Sequence, residues 1–160
     1  MIKQLEVLNA KLKAIDDKFI NVNWGGCAVI AAFVSNTLRT TFPIMRITCS
    51  NGYWIGSNNN LDTIRKNLTN SLNKDEWTTN DLYFHHVWVE ILVNKRWYAL
   101  DATGVIPIKD MYKEWGVPLK GSFTHKEIQS LANQDDWNSS FNRSQIPEIK
   151  QYITKELSSI

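Results

Sequence analysis

The run CAVIAAFVSNTLR, residues 27–39, is apolar nearly all round its first two helical turns. A helix without a polar face belongs in the middle of a domain, so the rest of this chain must be arranged around it. At 160 residues the chain is long enough to bury a substantial core as one domain, expected to span residues 1–160. With 18 Lys+Arg against 16 Asp+Glu, the charge is too balanced for nucleic-acid binding on electrostatic grounds. No apolar run approaches the roughly 18–20 residues a membrane span needs. The opening MIKQLEVLNAKLKAIDDKF mixes charge with apolar residues and lacks the continuous apolar region of a signal peptide. Cys27 and Cys49 form neither a disulfide framework nor a zinc-ribbon spacing, and a cytoplasmic location is expected.

Around the central helix the local signals are readable. Ile2, Leu5, Leu8, Leu12, Ile15 and Phe19 recur at spacings of three and four, which predicts an amphipathic helix over residues 1–20. Ile44 to Cys49 alternates as a strand, Asn51-Gly52 signals a hairpin turn, and Tyr53-Trp54-Ile55 would be the returning strand. Leu61, Ile64, Leu68 and Leu72 fall on one face of a further helix. His86 to Val93 and Arg96 to Asp101 form the clearest strand pair, joined at Asn94-Lys95. After Gly104 the chain reads as short helical pieces: Asp110 to Trp115, His125 to Ala132 opened by a Thr124/Glu127 capping box, and Pro147 to Ser158. The expected class is α+β, with a buried helix on an antiparallel sheet and extra helices at both ends.

Cys27 is the first residue of the buried helix. Backbone N–H groups at a helix start lack intrahelical partners and carry partial positive charge, which stabilises a thiolate there. Gly25 and Gly26 allow a tight turn into the helix and place no Cβ in the way of a substrate carbonyl. The bland alternative is that Cys27 is a small buried hydrophobe. A nucleophilic cysteine needs a base, and the chain has three histidines. His125 falls in the capping-box helix; His85 and His86 are adjacent and must point to opposite faces.

The hairpin decides between those two. A two-residue turn at Asn94-Lys95 sets Val93 opposite Arg96 and Trp88 opposite Asp101. Asp101 then shares a sheet face with His86, one diagonal step away at about 7–8 Å between Cα atoms. A three-residue turn would give the role to His85 instead. The opposite face, with Val87, Val89, Ile91, Val93, Tyr98 and Leu100, is the apolar one; His86 and Asp101 share a more polar face with Trp88 and Glu90. A carboxylate orienting an imidazole that draws a proton from a nucleophile is the logic of a catalytic triad. Asp101 could equally be a turn residue ending its strand. Metal binding through Cys27, Cys49, His85 and His86 and a Cys27–Cys49 disulfide are the remaining options for these side chains, without supporting spacing or compartment.

At these residues the chain resembles the transglutaminase-like superfamily of papain-like cysteine enzymes. The matching text is Gly25-Gly26-Cys27, then His86-Val87-Trp88-Val89-Glu90, then Trp97-Tyr98-Ala99-Leu100-Asp101, in the family's order. Thr41 to Arg46 is similar to the family's proline-containing segment between helix and sheet. The resemblance covers roughly residues 20–104 and implies a catalytic core at 21–104, followed by a helical extension at 105–160 that the family pattern does not explain. It implies Cys27 as nucleophile, His86 as general base and Asp101 as its orienter. Oxyanion or substrate contacts would come from the Cys27 N–H beside Gly26 and from Asn21, Asn23 or Trp24. Trp24, Trp54 and Trp88 could wall a substrate groove or fill the core.

No calcium-loop pattern of spaced acidic residues occurs, and no cofactor or metal is expected. The expected activity is acyl transfer from an amide, ester or thioester through an acyl-enzyme. Hydrolysis of a peptide, protein or small acyl substrate leads, as in a thiol protease or deamidase. Transfer to an amine, as by a transglutaminase or N-acyltransferase, shares every catalytic residue. A non-catalytic binding domain that kept the fold is the remaining alternative. Neither nucleic acid nor membrane is expected as a partner.

Overall fold

The run that starts at Cys27 is the hub of the molecule. A computed structural model describes residues 2–23, 25–50, 86–115, 122–133 and 141–160. Helix α1 spans Ile2–Lys18 and α2 spans Cys27–Leu38. Strands β1 (Met45–Ser50), β2 (His86–Val93), β3 (Arg96–Asp101) and β4 (Gly104–Pro107) follow, then α3 (Ile108–Trp115), α4 (His125–Ala132) and α5 (Ile146–Leu157). The described residues therefore make an α+β fold with five helices and a four-stranded antiparallel sheet, ordered β1-β2-β3-β4. The expected hairpin at Asn51-Gly52, the strand at residues 53–55 and the helix at residues 61–72 lie outside the described residues, as do Trp24 and His85.

Helix α2 buries residues on every side, because it packs on β2 while α4 and α5 cover it from elsewhere. The stripe on α1 works as its spacing dictates: Leu8, Leu12, Ile15 and Phe19 all enter the core. Polar contacts also fix α1, among them those of Asn9 and Lys11. Val105 N–H donates to Asn9 Oδ1 at 2.9 Å, which covers the open edge of β4. Lys11 Nζ donates to the Glu156 carbonyl at 2.5 Å and to its carboxylate at 3.0 Å, tying α1 to α5. At α4 both capping-box bonds form, Glu127 N–H to Thr124 Oγ1 at 3.2 Å and Thr124 N–H to Glu127 Oε2 at 2.7 Å.

The β2–β3 register follows from the two-residue turn. Asn94 and Lys95 both have positive φ (49° and 64°), as a type I′ turn requires. Val93 consequently faces Arg96 and Val89 faces Leu100. Two expectations need correction. Gly104–Pro107 is a fourth strand rather than the start of helical pieces. A tight turn after Asp101 pairs it with Gly104 and sends the β-branched Val105 and Ile106 back along β3. The face carrying His86, Trp88 and Glu90 is also not an open polar surface. Helix α3 lies over it, and Trp88, Ala99 and Met111 form a second small core with Ile106, Ile108, Tyr112 and Trp115 packed against it. The sheet is covered on both sides.

Candidate active site

Asp101 ends β3 and is held by its own turn. Thr103 donates to Asp101 Oδ1 twice, from its N–H at 2.8 Å and from its hydroxyl at 2.5 Å. That leaves Oδ2 for His86, whose Nε2 donates to it at 2.7 Å. The carboxylate thus serves both as a turn residue and as the partner of an imidazole. With two donors on one oxygen and a third on the other, both carboxylate oxygens are engaged.

His86 begins β2 and is 0% exposed; Asp101 is 2% and Cys27 5% exposed. Burial alone would lower the imidazole pKa, but the hydrogen bond to Asp101 and the proximity of Cys27 overcome it and raise it to about 9. A value near 9 favours the imidazolium form of His86 at neutral pH. Its second nitrogen, Nδ1, has no hydrogen bond of ordinary geometry although it is buried. Cys27 is among the groups that raise the imidazole pKa, so the thiol lies near the ring whose Nε2 is engaged by Asp101. An unpaired buried nitrogen is costly, and one beside a thiol is poised to exchange a proton with it.

Cys27 opens α2 behind Gly26, the N-cap, which makes no side-chain capping bond. The first amides of α2 therefore lack a capping side chain. Gly25 has φ 103°, a conformation glycine adopts without strain. The reason for Gly26 differs from the one anticipated. A Cβ there would sit 2.6 Å from the Val22 carbonyl oxygen and 2.8 Å from the Phe141 ring, so packing rather than substrate access forbids a side chain. Replacing Gly26 with alanine should cost about 1–3 kcal/mol in denaturant unfolding, because the backbone carbonyl cannot yield as a flexible side chain would.

The other site residues sort as follows. Asn23 is buried with its Oδ1 unpaired, and Asn21 is exposed with φ 59°. Trp88 does not wall a groove; it is buried between β2 and α3, and its Nε1 donates to Glu90 Oε1 at 2.9 Å. Glu90, itself buried, is neutralised by the Arg46 guanidinium, which lies over the Trp97 ring at 4.1 Å. Cys49 faces the main core from β1, and neither cysteine is in a disulfide. Three contributors went unassigned in the sequence: Thr103, Phe141 and Trp115. Trp115 had a usable signal, since Ile108, Met111, Tyr112 and Trp115 form an i, i+3, i+4, i+7 stripe. Phe141 had none.

Fold and site together define an α+β protein with a buried thiol–imidazole–carboxylate cluster at the start of its central helix. Among the described residues no group of three or more His, Cys, Asp or Glu is placed to hold a metal ion, and no helix is long and apolar enough to cross a membrane. Comparison with protein-family models, with curated proteins and with solved structures finds no match to the chain.

Proposed function

We propose that this chain is a cysteine-dependent acyl-transfer enzyme of papain-like, transglutaminase-like construction, with Cys27, His86 and Asp101 as its triad and hydrolysis as its reaction. The observation that carries the proposal is the buried His86, bonded to Asp101 through Nε2, with no hydrogen bond at its other nitrogen and with Cys27 among the groups that raise its pKa. A cation next to a thiol favours the thiolate, the form that attacks. Cys27 Sγ adds to the carbonyl carbon of an amide, ester or thioester, and the uncapped amides at the start of α2 can receive the developing oxyanion. His86 gives its proton to the leaving amine, alcohol or thiol, and a thioester to Cys27 remains. Water then surrenders a proton to His86 as its oxygen attacks the thioester, which releases the acid and restores the thiolate. Asn23 is a candidate for a further substrate contact; Gly26 serves as the close-packed entry to α2.

One observation favours a second outcome, transfer to an amine. The three side chains are almost wholly buried, and excluding water is what lets an amine win the acyl group. The test separates the possibilities. A panel of acyl and peptide substrates, quenched in acid, should yield a mass adduct on Cys27, and an added amine should reveal how that adduct partitions. Iodoacetamide at pH 6.5 should modify Cys27 much faster than Cys49. Equal slow rates and no adduct would instead indicate a binding domain on this fold.

A further inference from the structure

We propose that Trp115 is a positioning residue of the Cys27–His86–Asp101 site, its indole holding the orientation of the His86 ring and so the direction of Nδ1. The proposal rests on the acyl-transfer function above and assigns a role to the part of the chain, residues 105–160, that the family resemblance leaves unexplained.

The His86 and Trp115 rings are stacked, with centroids 4.2 Å apart and planes inclined by 19°. On the same sheet face Trp88 lies further away, at 6.0 Å and 28°. The terminal torsion of a histidine is soft, so its ring plane is set by what it touches. The bond from Nε2 to Asp101 fixes one atom and leaves the ring free to pivot about that contact. Pivoting would change the direction in which Nδ1 points. A large flat surface against one side of the imidazole blocks that motion, and Trp115 provides it. The surface is itself held, because Met111 and Tyr112 bring the same face of α3 down on the sheet, where Met111 packs with Trp88 and Ala99.

The stack has an electronic consequence as well. An indole face is electron-rich and attracts a cation, so it favours imidazolium over imidazole. The groups that act on His86 are Asp101 from β3 and Cys27 from α2. Asp16 of α1 lies near Asp101; its carboxyl is pushed up by burial and by the Asp101 charge. Glu90, on the same face of β2, is balanced by Arg46. Of the two indoles stacked with the imidazole, Trp115 is the nearer and the more nearly parallel.

The test is to follow His86 by NMR titration, with imidazole-labelled histidine, in the wild type, Trp115→Phe and Trp115→Leu. Phenylalanine keeps a π face and should hold the midpoint near the wild-type value. Leucine keeps the apolar cover without the π face and should lower the midpoint by about half to one pH unit. Should the leucine variant fold poorly, site-specific replacement of Trp115 by a fluorinated tryptophan keeps the shape, weakens the π face and should lower the midpoint in the same direction. Unchanged midpoints in both the leucine and the fluorinated variants would overturn the role of Trp115. Neither measurement requires turnover, so a wild type with an inert Cys27 would end the acyl-transfer proposal and leave the Trp115 result readable.

Discussion

Changing Cys27 to alanine will abolish turnover and leave the fold intact. Cys27 is small and buried, and alanine removes one sulfur from a helix that already carries alanines at positions 28, 31 and 32. A stability loss near 1 kcal/mol is therefore expected. The activity loss should be about a thousandfold or more, because no neighbouring atom can take over the bond to the acyl carbon. His86→Ala should be equally dead, whereas His85→Ala keeps activity or loses it only through stability. The measurement is kcat/KM for each variant beside its unfolding curve. An active Cys27→Ala protein would end the covalent mechanism outright.

Asp101→Asn should lower the pKa of the His86 imidazole and cut activity. The Asp101 bond and charge oppose the burial that otherwise lowers the His86 pKa. With asparagine in its place, burial is opposed by Cys27 without the Asp101 charge, and His86 should titrate well below the wild-type value of about 9. The neutral imidazole would take an altered tautomer, and kcat/KM should fall by about two to four orders of magnitude. NMR titration of His86 and a pH–rate profile check both parts.

The same shift has a consequence for folding. A histidine whose folded pKa exceeds its unfolded value stabilises the fold fully below about pH 6.5, and that contribution is lost as pH rises through about 9. Wild-type unfolding free energy should therefore lose up to roughly 3 kcal/mol from this group across that window. Activity should also decline above about pH 9, since the leaving group then finds no proton on His86. Cys27→Ala should lower the upper edge of the stability window, because Cys27 is among the causes of the raised value.

What could be read from the sequence was local. The stripe on α1, the all-apolar α2 with Cys27 at its start, the Thr124/Glu127 capping box and the Asn94-Lys95 turn each depend on residues a few positions apart. Helical periodicity, capping and turn chemistry act over that range. The turn then carried its information further. A two-residue connection sets every later pairing in the hairpin, which is why the sequence alone places Asp101 on the face of His86. The fourth strand was missed because four residues are too few to show a period, and β3 supplied the pairing that made them a strand.

Tertiary structure decided what happens around that pair. Only packing between distant segments brings α3 over the face that alternation had marked as polar, sets Trp115 on His86 and presses Phe141 against Gly26. The approach of Asp101 and Cys27 to His86 raises the imidazole pKa against the burial that lowers it. Periodicity reports how one segment divides its faces; it carries no record of which remote segment will cover them. The chemical identity of the cluster was thus written along the chain, and its protonation and enclosure arose from the way the chain closed on itself.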